Sequence, residues 1–226
     1  NPGGSTGHAS NFIFPVDHNK EMALLGEQSA NQFRDMELSV DSGGIEVART
    51  EERMHELDRR MTSAMAWGIE AHMLTPAGVK ELVPFINEDV ILGGFYCPTV
   101  SVVDSLETGT TMRREAIEMV GCQVFANTEV LDVLTEDGPN AGDRTVTGVV
   151  TDKGTIEAGY VVIACGVWSN RIANMAGAVI PLVPTVHQMA DVGPMDILAE
   201  TNNEIGYPIV RDMDTLCYER QSAGSM

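Results

Sequence analysis

Tyr160-Val161-Val162-Ile163-Ala164-Cys165-Gly166 is the stretch whose reading decides the fold. Its apolar residues follow one another without alternation, and a glycine closes the run. A strand with one wet face alternates apolar and polar residues, whereas a strand covered on both faces, as in a parallel sheet, reads as a continuous apolar run. Residues 168–176 follow with helical character, so the unit reads strand, turn, helix. The carboxyl end of a buried parallel strand is where open α/β sheets bind ligands, and Gly166 permits a close backbone approach to a nucleotide. The alternative is a tight turn with Trp168 in the core.

Outward from this run, residues 123–126, 129–134, 145–151 and 154–157 read as strands. The polar segment 138–143, rich in Gly, Pro, Asn and Asp, forms a hairpin loop between two of them. Before them, Asp104 caps a helix in a capping-box arrangement with Glu107. That helix carries Met112, Ala116 and Met119 and ends at Gly121. Earlier still, Met22, Leu25, Ala30, Phe33 and Met36 recur at helical spacing, and Gly43-Gly44 turns the chain into a strand over 45–48. Thr50 opens a helix with Met54, Leu57, Met61 and Met65 on one face, read as core packing rather than a cofactor box. Thr75-Pro76 starts a short helix to Leu82, Pro84 stops it, and 91–96 is a strand. Residues 1–14 read as an ordered loop, and 183–192 and 216–218 as strands separated by polar loops. The alternation predicts an α/β (mixed α+β) architecture: part of a doubly wound sheet beside a largely antiparallel layer.

The 226 residues carry 14 Lys and Arg against 33 Asp and Glu, so the formal charge is 14 − 33 = −19. Such a surface repels phosphate backbones and anionic lipid, which argues against nucleic-acid and membrane partners. A hydrophobic content of 43% is enough for a packed core. No stretch approaches the roughly 20 apolar residues of a membrane span, and no signal peptide is visible. Cys97, Cys122, Cys165 and Cys217 are far apart, with no CxxC. Cys122 and Cys165 sit in apolar runs and read as buried free thiols, as in a reducing compartment. The chain begins Asn1-Pro2-Gly3-Gly4 without a Met and ends at Met226 just after a strand, so it reads as an internal piece of a longer protein.

Besides the 160–168 turn, two segments could carry chemistry. Gly3-Gly4-Ser5-Thr6-Gly7-His8-Ala9 combines small residues, two hydroxyls and a nucleophilic ring nitrogen; a solvated loop is the plainer reading. His187-Gln188-Met189 lies within an expected strand, where an isolated His is commonly structural. His18, His55 and His72 carry no usable signal. No GxSxG, HExxH or Walker pattern is present.

Together the segments 4–9, 43–48, 66–70, 91–96, 164–168 and 181–188 resemble the FAD-dependent oxidoreductases of the D-amino-acid-oxidase superfamily. The likeness is to the branch of dimethylglycine oxidase, dimethylglycine dehydrogenase and sarcosine dehydrogenase. The resemblance implies FAD as cofactor, held covalently by His8 through the flavin 8α-methyl. It implies Gly4, Ser5 and Thr6 on the flavin and pyrophosphate side, Val130 beside the adenine, and Ala164, Cys165, Gly166 and Trp168 at a second nucleotide-contacting turn. His187 takes the catalytic place on the substrate strand. Residues 1–40 and 104–178 then belong to the FAD-binding domain, and 41–103 and 179–226 to the substrate domain. The implied reaction oxidises the C–N bond of a sarcosine- or dimethylglycine-type amine to an iminium. Folate or an electron acceptor would engage regions outside this chain. The setting is cytoplasmic, or the mitochondrial matrix in a eukaryote. The chain departs from the family pattern at Met189, where Tyr usually follows His-Gln, and at Val100-Ser101, where Asp-Gly is usual. These departures keep two alternatives open: another amino or hydroxy acid as substrate, or a non-catalytic binding module.

Overall fold

A computed structural model describes residues 3–17, 19–140, 142–199, 204–222 and 225. His18 lies outside these residues, as do Asn1, Pro2, Ala141 and Met226. In chain order the elements are β1 (Phe12–Ile13), α1 (Lys20–Asp35), β2 (Ser39–Asp41), β3 (Gly44–Ala48), α2 (Glu51–Trp67) and β4 (His72–Leu74). Next come α3 (Pro76–Leu82), β5 (Gly93–Cys97), β6 (Ser101–Val103), α4 (Ser105–Val120), β7 (Val130–Asp137), β8 (Arg144–Thr151) and β9 (Gly154–Glu157). The last are α5 (Ser169–Met175), α6 (Asp196–Ala199), β10 (Ile209–Asp212) and β11 (Cys217–Glu219). The chain forms two compact units, one of residues 1–113 with 190–226 and one of residues 114–189.

Polar caps start the helices, at Thr75 and Asp104 as the sequence predicts and also at Asn19. Asn19 Oδ1 accepts from Met22 N at 2.9 Å, Thr75 Oγ1 from Gly78 N at 3.2 Å, and Asp104 Oδ1 from Glu107 N at 2.9 Å. In the first unit a five-stranded sheet runs β11-β10-β3-β5-β4. All its pairings are antiparallel except β10 with β3, which is parallel and sets Arg211 opposite Glu46. Side chains alternate across β3. Ile45 and Val47 join Val79, Val83 and Val210 in a cluster with α3. Ala48 packs with Phe95, Ile209 and the α2 residues Leu57 and Ala64 on another. A second, three-stranded sheet, β1-β6-β2, is antiparallel throughout.

The methionine stripe of α2 is core as expected except at its end. Met54 and Met61 pack against Leu57 and Ala64, but Met65 is 71% exposed. At 3.6 residues per turn the face through Leu57 and Met61 continues at Ala64, leaving Met65 about 100° around the helix.

The second unit holds the antiparallel sheet β7-β8-β9. Strands β7 and β8 pair antiparallel as the expected hairpin, with Gly138 N donating to Asp143 O at 2.8 Å. Helix α5 is tied to the segment before β7 by Arg171 Nη2 and Glu129 Oε1, 2.8 Å apart. Asn170 pins the following segment by accepting from Ile180 N and donating to Leu182 O.

Several expectations for this unit are overturned. Residues 160–165 form no strand, and Tyr160 and Val162 are 93% and 87% exposed. A strand is made by ladder hydrogen bonds to a neighbour, and among the described residues none pairs with this run. For the same reason 123–126 and 183–192 are not strands. Without a covering layer Cys122 and Cys165 are exposed, not buried, and Trp168 is half-exposed rather than core; Cys97 is the buried thiol. The short strands β1, β2, β4, β6 and β10 were not expected from the sequence.

Candidate functional site

In the first unit the glycine-rich segment is not a plain loop. Residues Gly4–His8 form a single 3-10 turn, with Gly4 at φ +58° and its His8 ring exposed. The turn is fastened from behind. Ser105 Oγ, in the first turn of α4, donates to Thr6 O at 2.7 Å and accepts from Asn11 Nδ2 at 3.0 Å. Arg220 Nη1 donates to Ser10 O at 3.2 Å, and Val103 N to Asn11 O at 2.8 Å. Ser5 and Thr6 are exposed, so their hydroxyls and the imidazole stand open to a ligand while the backbone behind them is fixed. A cleft of about 480 Å³ beside the turn is lined by Gly7, Asn11, Ser105 and Arg220 among others.

In the second unit Ala164, Cys165, Gly166 and Trp168 lie in one turn leading into α5. Gly166–Trp168 is a 3-10 turn, and Trp168 N donates to Cys165 O at 3.1 Å. Gly166 has φ +54°, and a Cβ there would meet nothing within 4 Å, so a ligand can come against bare backbone. Val130 opens β7 opposite Thr151, half-buried. His187 is exposed and outside any strand, and Gln188 Nε2 donates to Met189 O at 3.0 Å. Thus the structure gathers Gly4, Ser5, Thr6 and His8 in one turn of the first unit. It gathers Ala164, Cys165, Gly166 and Trp168 in one turn of the second, with Val130 and His187 elsewhere in that unit. Taken singly, each turn has chemistry that suits part of a flavin dinucleotide: hydroxyls and an exposed imidazole in the first, open backbone at the left-handed Gly166 in the second.

Sequence reading missed a charged array in the first unit. Glu46 is fully buried in β3, with Arg60 Nη1 of α2 at 3.1 Å from Oε1 and Oε2 and Arg211 Nη1 of β10 at 2.7 Å from Oε1. Arg60 Nη2 reaches Glu56 Oε1 at 3.1 Å, and Arg53 Nη1 reaches Glu56 Oε2 at 2.6 Å. The Arg211 guanidinium carbon lies 4.9 Å from the Phe14 ring centroid. The signal was available: a lone acid at an inward position between Ile45 and Val47. Burial pushes the Glu56 carboxyl up, but hydrogen bonds from Arg53 and Arg60 outweigh it and hold it below the usual carboxylate range. Burial, with the Glu46 charge adding to it, pushes the Cys97 thiol up to about 12. Among the described residues no group of three or more His, Cys, Asp or Glu is placed to hold a metal ion.

Each unit thus presents a turn at a left-handed glycine, Gly4 in the first and Gly166 in the second, and the first also carries an exposed imidazole. The chain belongs to the FAD dependent oxidoreductase family, DAO, whose family model matches residues 1–225. It is 32% identical to mitochondrial sarcosine dehydrogenase of Mus musculus over 96% of this chain and 24% of that protein. It is 28% identical to the mitochondrial pyruvate dehydrogenase phosphatase regulatory subunit of Mus musculus over 99% of this chain and 25% of that protein. Its fold superimposes on the crystal structure of L-proline dehydrogenase from P. horikoshii with a TM-score of 0.82, at 23% identity, over 98% of this chain and 58% of that one. The chain spans about a quarter of the length of the curated relatives it matches.

Proposed function

We propose that this chain is part of a flavoprotein that oxidises the C–N bond of a secondary or tertiary N-methyl amino acid of the sarcosine or dimethylglycine type. The observation that carries this reading is the likeness to sarcosine dehydrogenase along nearly the whole chain. Residues 1–40 and 104–178 serve the FAD-binding domain, and 41–103 and 179–226 the substrate domain. Bound FAD supplies acceptance of a hydride equivalent from the carbon attached to the substrate nitrogen, which leaves an iminium ion.

The chain's own residues hold and orient. His8 forms the covalent bond to the flavin, and the Ser105 and Asn11 bonds behind its turn fix where the imidazole stands. Gly4, Ser5 and Thr6 receive the flavin and pyrophosphate side through backbone and hydroxyl donors. Val130 meets the adenine, and Ala164, Cys165, Gly166 and Trp168 form the second nucleotide contact. His187 acts at the substrate. An electron acceptor or folate would be met outside this chain. The setting is the cytoplasm, or the mitochondrial matrix in a eukaryote; among the described residues no helix is long and apolar enough to cross a membrane.

The likeness to a protein named as a regulatory subunit favours a second reading, a non-catalytic module on the same fold. Flavin retention and reduction decide between them. After acid precipitation of the full-length protein, flavin should stay with the pellet in wild type and pass to the supernatant in His8→Ala. All flavin in the supernatant for both overturns the covalent bond. Anaerobic sarcosine or dimethylglycine should bleach the flavin band, and bleaching rules out the non-catalytic module. No bleaching with these amines but bleaching with another amino or hydroxy acid overturns the substrate.

A further inference from the structure

We propose that Ser105 is a positioning residue for the bond between His8 and the flavin: its hydroxyl holds the turn that carries the imidazole, so that attachment depends on it while flavin binding does not. The proposal rests on the reading above, that His8 is the covalent anchor. The turn Gly4–His8 cannot hold itself. It is five residues of 3-10 geometry, no side chain caps it at Gly3, and none of its residues is buried. Bonds from far along the chain set its place, and these are not equivalent. Arg220 and Val103 grip Ser10 and Asn11, on the C-terminal side of His8. Ser105 Oγ, donating to Thr6 O at 2.7 Å, makes the one such bond inside the turn among the described residues. Without it the segment is fixed from outside on one side of His8 only.

Ser105 is suited to the task. It opens α4 directly behind Asp104, and Asp104 is itself tied down. Asp104 Oδ1 accepts from Glu107 N at 2.9 Å, its O accepts from Thr108 N at 2.9 Å, and its N donates to Leu38 O at 3.1 Å. The hydroxyl is therefore carried on a fixed backbone. It uses both its capacities: it donates to Thr6 O, and it accepts from Asn11 Nδ2 at 3.0 Å. Asn11 stands at φ +60°, a left-handed conformation that Asn tolerates, and there the chain leaves for β1. One side chain thus pins the segment on both sides of His8. Attachment joins an imidazole nitrogen of His8 to the flavin 8α carbon. One N–H and one C–H bond break; the two protons and the electron pair left over pass through the flavin ring to dioxygen, which leaves as hydrogen peroxide. That step needs the nitrogen at bonding distance from one carbon and loses about 100-fold for a misplacement of about 1 Å. Noncovalent binding is spread over many contacts and tolerates the same shift.

The test follows attachment in full-length protein produced without flavin and then given FAD in air. Covalent flavin is read in the acid pellet, and total bound flavin by absorbance before precipitation. Ser105→Ala should bind FAD within about 2-fold of the wild-type amount but attach it about 10- to 100-fold more slowly. Ser105→Thr keeps the hydroxyl and should attach it within about 3-fold of the wild-type rate. Hydrogen exchange of the peptide over residues 4–11, read by mass spectrometry in the flavin-free protein, should quicken about 10-fold in Ser105→Ala and not in Ser105→Thr. Unchanged attachment in Ser105→Ala, equally slow attachment in Ser105→Thr, or parallel loss of binding and attachment each overturns the positioning role. Covalent flavin in wild type with unchanged attachment in Ser105→Ala keeps the His8 bond and overturns Ser105. No covalent flavin in wild type overturns the His8 bond; faster exchange in Ser105→Ala then leaves Ser105 standing as the anchor of the turn, and unchanged exchange overturns that as well.

Discussion

The two units treat strand-like segments in opposite ways. In the first, Gly44–Ala48 is buried at every position, with clusters from α2 and α3 packed to it. In the second, the longer run 160–165 is largely exposed, and Val133 and Ala173 are its unit's buried apolar residues among those described. The difference teaches that an apolar run records how much surface a segment can bury, not what it buries it against. β3 has hydrogen-bonded neighbours on both edges and helices supplying side chains to its clusters. The 160–165 run has neither among the described residues, so its side chains remain in water.

The comparison breaks most sharply at Glu46. Glu46→Ala strips Arg60 and Arg211 of a buried partner and should destabilise the first unit by about 3–5 kcal/mol in a urea melt. A loss below about 1 kcal/mol would show that the array is hydrated. Thiols sharpen the contrast between the units. Cys97 is buried, with its thiol pushed up to about 12, whereas Cys122, Cys165 and Cys217 are exposed. Iodoacetamide at neutral pH should label those three at least about 100-fold faster than Cys97, whose reaction waits for opening of the core. Similar rates at all four, read by mass spectrometry, would mean that the first unit is no more closed than the second. The smallest effect is expected at Val162, 87% exposed: Val162→Ser should change the stability of the 226-residue chain by no more than about 0.5 kcal/mol. A change of 2 kcal/mol would place that side chain in a packed layer after all.

What the sequence made legible was local. The caps at Thr50, Thr75 and Asp104 and the helices after them are written in neighbouring residues, as is the pairing of β7 with β8 across a polar connection. The short strands β2 and β6 are held by a partner about 60 residues away, so three residues of sequence carry no period to read. Tertiary pairing likewise decided against 123–126, 160–165 and 183–192. The site divided along the same line. Small residues and an imidazole close together in sequence stood out at 4–8, and the structure adds the turn that shapes them. The anchor at Ser105, 99 residues from Thr6, and the array across β3, α2 and β10 had no local signature beyond the lone acid Glu46.

The parallel pairing of β10 with β3 also sets a timetable. Glu46 and Arg211 are 165 residues apart, and the second unit is made between them. At about 5–20 residues per second, a ribosome delivers Arg211 roughly 8–33 s after Glu46. Through that interval Arg60, only 14 residues on, is the partner available to the carboxylate within this array, and the edge of β3 that will receive β10 stays open. The nascent first unit therefore exposes a strand edge to other chains until its own C-terminal segment arrives, which makes this sheet the place where translation speed and chaperone cover decide the yield of folded protein.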